Sequence, residues 1–206
     1  MRQFNQTGKL LIALLISATL SFAEESIKPD SPYYLLPEAA MLRPPILTPV
    51  PNSKLTLLVP AIMENGTLRY LTKPEMLALP IKKRADFDQI AKKNSTKALA
   101  AIKPVIIRNS KNVIELIVLE TNNQLAATSI LAPDFTDRFS PLLGPDIVAL
   151  IPSRDKVYLF PKIAGHFDLM ARTVVDEFEV ALHPVSYEVF EIRNGELQAI
   201  GVFPRN

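Results

Sequence analysis

The chain has no cysteine and no tryptophan, and only six glycines and two histidines among 206 residues. Each shortage removes a class of chemistry. Without cysteine there is no disulfide, no thiolate metal site and no thiol nucleophile. The glycines are Gly8, Gly66, Gly144, Gly165, Gly195 and Gly201, and none falls in a phosphate-cradling G-x-G-x-x-G or G-x-x-x-x-G-K-[ST] pattern. His166 and His183 lie too far apart in sequence for two imidazoles on one helix face. No cofactor and no metal site is expected.

A surplus of charge is also missing. Residues 1–23 carry Arg2 and Lys9, then an apolar run from Leu10 to Leu20, then Ser21-Phe22-Ala23 with small residues three and one before Glu24. That is the pattern of a cleaved export signal. The run falls short of the roughly 20 apolar residues that span a bilayer. An uncleaved anchor is the alternative. Taking Arg2 and Lys9 from the 23 basic residues leaves 21 against 21 acidic ones, a formally neutral chain. Nucleic acid, whose binding rests on cationic surplus, is therefore not an expected partner. The expected location is outside the cytoplasm, periplasmic or secreted, with no membrane span after cleavage.

What is abundant is proline: eight of the 18 lie between Pro29 and Pro60. Residues 24–53 read as an extended, turn-rich lead-in, packed by Tyr33-Tyr34-Leu35-Leu36, and residues 54–206 as one folded domain. In that body Leu55–Met63 and Thr67–Leu71 make a hairpin about Asn65-Gly66. Asp86 opens a helix to about Ala101, with Phe87, Ile90, Ala91, Asn94, Ala98 and Ala101 on one face. Val105–Arg108, Val113–Glu120 and Gln124–Leu131 read as a three-strand meander. A short helix follows Pro133-Asp134 and ends at Gly144-Pro145. Ile147–Ile151 and Val157–Phe160 form a second hairpin, a long helix runs from about His166 to Leu182, and Tyr187–Arg193 and Glu196–Val202 turn on Asn194-Gly195. The fold class is α+β: an antiparallel sheet with helices packed on one side, in the order α-βββ-α-ββ-α with flanking hairpins.

Four stretches, taken in order, resemble the YtpQ-like family, a bacterial domain of unknown function. They are Phe87-Asp88-Gln89-Ile90-Ala91-Lys92-Lys93-Asn94, then Ser129-Ile130-Leu131-Ala132-Pro133-Asp134-Phe135, then Ile151-Pro152-Ser153-Arg154-Asp155, then His183-Pro184-Val185-Ser186. The resemblance spans roughly residues 55 to 200 and implies a shared fold and no known activity. The chain departs from the family pattern in its export signal, in its proline-rich lead-in and in Ile130, where the family tends to place Arg.

The candidate ligand or partner contacts are Arg154, Asp155, Asn94 and His183. Pro152-Ser153-Arg154-Asp155 has turn-forming composition, and a guanidinium at a hairpin tip can clamp a carboxylate or phosphate. Asn94 is a polar residue on a buried face, so it needs partners, because an unpaired buried amide costs about 1–3 kcal/mol. His183 falls near a helix end, where a protonated imidazole complements the dipole. Asp168, Arg172 and Asp176 space as a solvated ladder, and Ser129 lacks the surroundings of a nucleophile. The reading these residues support is an exported interaction or accessory module with an envelope protein as partner. A hydrolase using His183, Asp155 and Arg154, and an anionic-ligand domain at Arg154, are the alternatives.

Overall fold

The computed structural model describes residues 32–163, 166–193 and 195–205. The expected signal at 1–23, residues 24–31 of the lead-in, Gly165 and the turn residue Asn194 lie outside the described residues.

Proline does not keep the lead-in out of the fold. Tyr33–Ala39 form strand β1, a 3-10 turn covers Ala40–Leu42, and Thr48–Pro49 form β2. Both strands pair antiparallel with β3, Thr56–Glu64. β4, Thr67–Tyr70, shares with β2 the edge of β3 that β1 leaves free. The boundary expected at residue 54 therefore runs through a single sheet.

Three prolines, Pro37, Pro49 and Pro60, lie in the strands of this sheet, and Pro37 and Pro60 sit at places that need no donor. The Leu71 N–H donates to the Pro60 carbonyl at 2.9 Å, so the Pro60 backbone faces the edge shared by β2 and β4. It falls between them, because β2 pairs with Leu57 and Leu58 and the pairing with β4 begins at Ala61. Leu35, the partner of Pro60, consequently faces away from β3, and so does Pro37 two residues on. Neither ring interrupts a ladder bond.

β3 and β4 turn on Asn65 (φ 50°) and Gly66 (φ 81°), the left-handed pair a two-residue hairpin requires. Then come α1, Lys73–Ala78, with a reciprocal Thr72–Glu75 capping box, α2, Ile81–Ala85, and α3, Phe87–Ala101. Of the face its spacing predicts, α3 buries Phe87, Ala91, Asn94 and Ala98, while Ile90 is half-buried, Ala101 is exposed, and Ser95 and Leu99 are buried beside them.

A second sheet holds β5, Val105–Arg108; β6, Ile114–Glu120; β7, Ile147–Ser153; β8, Lys156–Pro161; β9, Glu188–Arg193; and β10, Glu196–Val202. Its six strands run in the order β10-β9-β7-β8-β6-β5, all neighbours antiparallel. The α+β class expected from the sequence is the class observed.

Three details differ from expectation. Gln124–Leu131 is no strand: Gln124 takes φ 64°, and Ala126–Ser129 form the short helix α4, packed under the sheet by Ala126 and Ala127. The third strand of the meander is β8 instead. The long helix is shorter, a 3-10 turn Phe167–Met170 leading into α6, Ala171–Val180, because Ala181 turns extended. Helices cover both faces of the six-stranded sheet, not one. α5, Phe135–Leu143, packs with α4 on Ile147, Ala149, Val157 and Leu159. α6 packs by Val174 and Val175 on Val148, Leu150, Tyr158 and Phe160, the alternate side chains of the same strands. The rings of Phe135 and Phe139, both fully buried, lie 4.9 Å apart. Truncating either costs about 3–5 kcal/mol.

Candidate functional site

The Pro152–Asp155 turn is a joint between sheets. Arg154, at the tip of the β7–β8 hairpin, is 6% exposed. Its Nε donates to Glu38 Oε1, Nη1 to Gln124 Oε1 at 2.9 Å and Nη2 to the Tyr70 hydroxyl at 2.9 Å. The Tyr70 hydroxyl in turn donates to Glu38 Oε2 at 3.1 Å, and its ring lies 5.4 Å under the guanidinium. The carboxylate that this clamp holds belongs to the chain itself, on β1. Burial pushes the Glu38 carboxyl above its ordinary value, while the charge and hydrogen bond of Arg154 and the Tyr70 hydroxyl pull it back.

Asp155 and His183 border the same joint. Asp155 Oδ1 accepts from the Gln124 N–H at 2.8 Å, and the Arg154 N–H donates to the His183 carbonyl at 3.0 Å. His183 lies three residues beyond the end of α6, so the helix-end role expected for it is not the one observed. Burial and the Arg154 charge hold its imidazole below the ordinary value, with Asp155 opposing.

Asn94 is placed elsewhere. Its Nδ2 donates to the Tyr33 carbonyl at 2.9 Å. Tyr33 and Glu38 are five residues apart on β1, about 16 Å at strand rise, so Asn94 stands apart from Arg154. It does a different job. The carbonyls of Tyr33 and Leu35 point away from β3, and Asn94 and Thr128 (Oγ1 to Leu35 O, 2.6 Å) meet them. Two outward carbonyls of β1 are thereby met by side chains from α3 and α4.

The edges of the six-stranded sheet are treated unequally. On β10 the Ala199 N–H donates to the Pro51 carbonyl at 2.9 Å. On β5, among the described residues, no hydrogen bond meets the backbone groups of Val105–Ile107 that face away from β6. The side chains are open as well: Val105 is 57% exposed, Ile106 41% and Ile107 41%. Val105 and Ile107 share a face with Val118 and Leu116, and Ile106 shares the opposite face with Ile117. A groove of about 610 Å³ adjoins Ile107, walled by Leu116, Leu142, Phe160, Leu169 and His166. An unprotected apolar edge beside an apolar groove is a docking geometry.

No family model, no curated protein and no solved structure matches this chain. The YtpQ-like resemblance therefore rests on its four sequence stretches alone. Among the described residues, no helix is long and apolar enough to cross a membrane, and no three His, Asp or Glu side chains are grouped to hold a metal ion.

Arg154 is legible as a candidate in the sequence, whereas Glu38, Tyr70 and Gln124, which come to it from distant segments, are not. The β5 surface is not singled out there either, although its signal is present: three consecutive apolar residues between Lys103-Pro104 and Arg108 put apolar side chains on both faces of a short strand.

Proposed function

We propose that this chain is an exported, non-enzymatic interaction module that docks an envelope protein along β5. The observation that carries the reading is the open, apolar β5 edge with its adjoining groove, whereas β1 and β10 each have outward backbone groups met by hydrogen bonds. The export half rests on Arg2, Lys9, the Leu10–Leu20 run and Ser21-Phe22-Ala23. The YtpQ-like resemblance implies a shared fold and adds no known activity.

Two measurements test it. N-terminal sequencing of the protein recovered outside the cytoplasm is expected to begin at Glu24; recovery only in the cytosol, with Met1 retained, contradicts export. A photo-reactive side chain installed at Ile106 is expected to give a discrete cross-linked species in intact cells. The same group at the exposed Lys97 on α3 is the control. Equal labelling from both positions contradicts the docking surface.

A further inference from the structure

The chemistry around β5 narrows the class of partner. Resting on the docking reading above, we infer that β5 takes an extended segment of a partner protein as a further strand, an apolar stretch flanked by acidic residues.

Strand addition follows from where the exposed side chains point. Val105 and Ile107 open on one face and Ile106 on the other. A small molecule in the groove, or a lipid surface, lies against one face only. An added strand alternates its side chains and covers both, while its backbone meets the outward N–H and C=O groups of β5. On the Val105–Ile107 face, one large apolar side chain of the partner reaches the groove beside Ile107.

The flanks follow from charge. Lys103 precedes the apolar trio, Arg108 ends it, and Lys111 sits in the following turn. Among the described residues none of the three is in an ion pair, whereas neighbouring Glu120 already faces Lys156 at 3.4 Å. Glu115, on β6, is the one acid among the described residues that line the groove. Acidic residues at both ends of the incoming strand complement the cations. The same cations disfavour a second copy of this chain. Antiparallel self-pairing about Ile106 sets Arg108 of each copy against Pro104, next to Lys103, of the other, so like charges meet at both ends.

The test uses fluorescence anisotropy on the purified chain with three capped, labelled peptides. One is Asp-Glu-Val-Ile-Val-Leu-Glu-Asp, the second has Lys at all four flanking positions, and the third is the acidic peptide N-methylated at alternate residues. The acidic peptide is expected to bind at least tenfold tighter than either of the others, and at least tenfold tighter to the wild type than to Ile106→Asp. Equal binding of acidic and basic peptides overturns the charge assignment, and full binding after N-methylation overturns strand addition. A dimer in sedimentation velocity that Ile106→Asp dissolves replaces the foreign strand by a second copy and overturns the inference. If the Ile106 cross-link forms while the acidic peptide fails to bind, the docking surface stands and this partner class falls. Failure of both removes the surface itself.

Discussion

Glu38 and Arg154, 116 residues apart in sequence, close an ion pair between β1 of one sheet and the β7–β8 turn of the other, and both side chains are buried. The pair converts a proline-rich segment into part of the folded body. Tyr70 and Gln124 complete it by taking the remaining guanidinium donors that face them.

Removing one partner of such a pair leaves the other charged and buried. Arg154→Ala is expected to cost about 3–5 kcal/mol. The double substitution Glu38→Leu with Arg154→Met is expected to recover a large part of that loss, because neither charge is then stranded. Urea denaturation of the two single variants and the double variant reads this out as a cycle. A double variant as unstable as the sum of the singles contradicts the assignment.

A second buried carboxylate anchors the same region from the other side. Glu188, on β9, accepts from Ser53 Oγ (2.6 Å), Thr56 Oγ1 (2.8 Å) and Ser186 Oγ (3.3 Å), and from the N–H groups of Lys54 (2.8 Å) and Leu55 (3.3 Å). Glu188→Ala strands these donors, so a loss of about 2–4 kcal/mol is expected in the same assay. Thr56 is buried, whereas Lys54 reaches solvent, so the hydroxyl of Thr56 bears the larger share. A loss below about 1 kcal/mol would mean that the donors find water instead.

His183 sets a pH dependence. Its folded-state imidazole is held below the ordinary 6.5 by burial and by Arg154. The unfolded chain therefore takes up the proton first on acidification. The contribution of His183 to stability is complete above about pH 6.5 and is lost as pH falls below it. An NMR titration of the His183 ring is expected to show a midpoint below 6.5. His183→Gln is expected to flatten the decline in the urea midpoint between about pH 7 and pH 5. A midpoint above the ordinary value would restore the helix-end role.

Much of this architecture was legible in the sequence, and the misses share a cause. Asn65-Gly66 marks its hairpin because few residues accept two successive left-handed conformations. The α3 stripe was readable because helical spacing is a local property. β1 was not, because Pro37 reads as a breaker, and only the register with β3 reveals that its backbone nitrogen faces outward. Gln124–Leu131 reads as a strand because it follows the Thr121–Asn123 turn, yet Gln124 turns left-handed to reach Arg154 and Asp155, and that demand comes from a turn 30 residues away. The joint around Arg154 was half visible for the same reason. The turn signals its own residues and says nothing of the carboxylate that arrives from β1.

Ile106 and Ile117 face each other across β5 and β6, one 41% exposed and one fully buried. Ile117→Ala is expected to cost about 2–5 kcal/mol and Ile106→Ala less than about 1 kcal/mol. Equal losses, measured by urea denaturation, would mean that Ile106 is covered in the free chain. That outcome would remove it from any docking surface.

On the docking reading, the outward backbone of β5 is free in the isolated chain and paired in the complex. Amide hydrogen exchange of Val105–Arg108, followed residue by residue with and without the acidic-flanked peptide, distinguishes the two states. The amides that point away from β6 are expected to exchange rapidly in the free chain and to become protected at least tenfold on binding, while those of β10 stay unchanged. Protection already present in the free chain, or none gained at β5 when the peptide is bound, would contradict that reading.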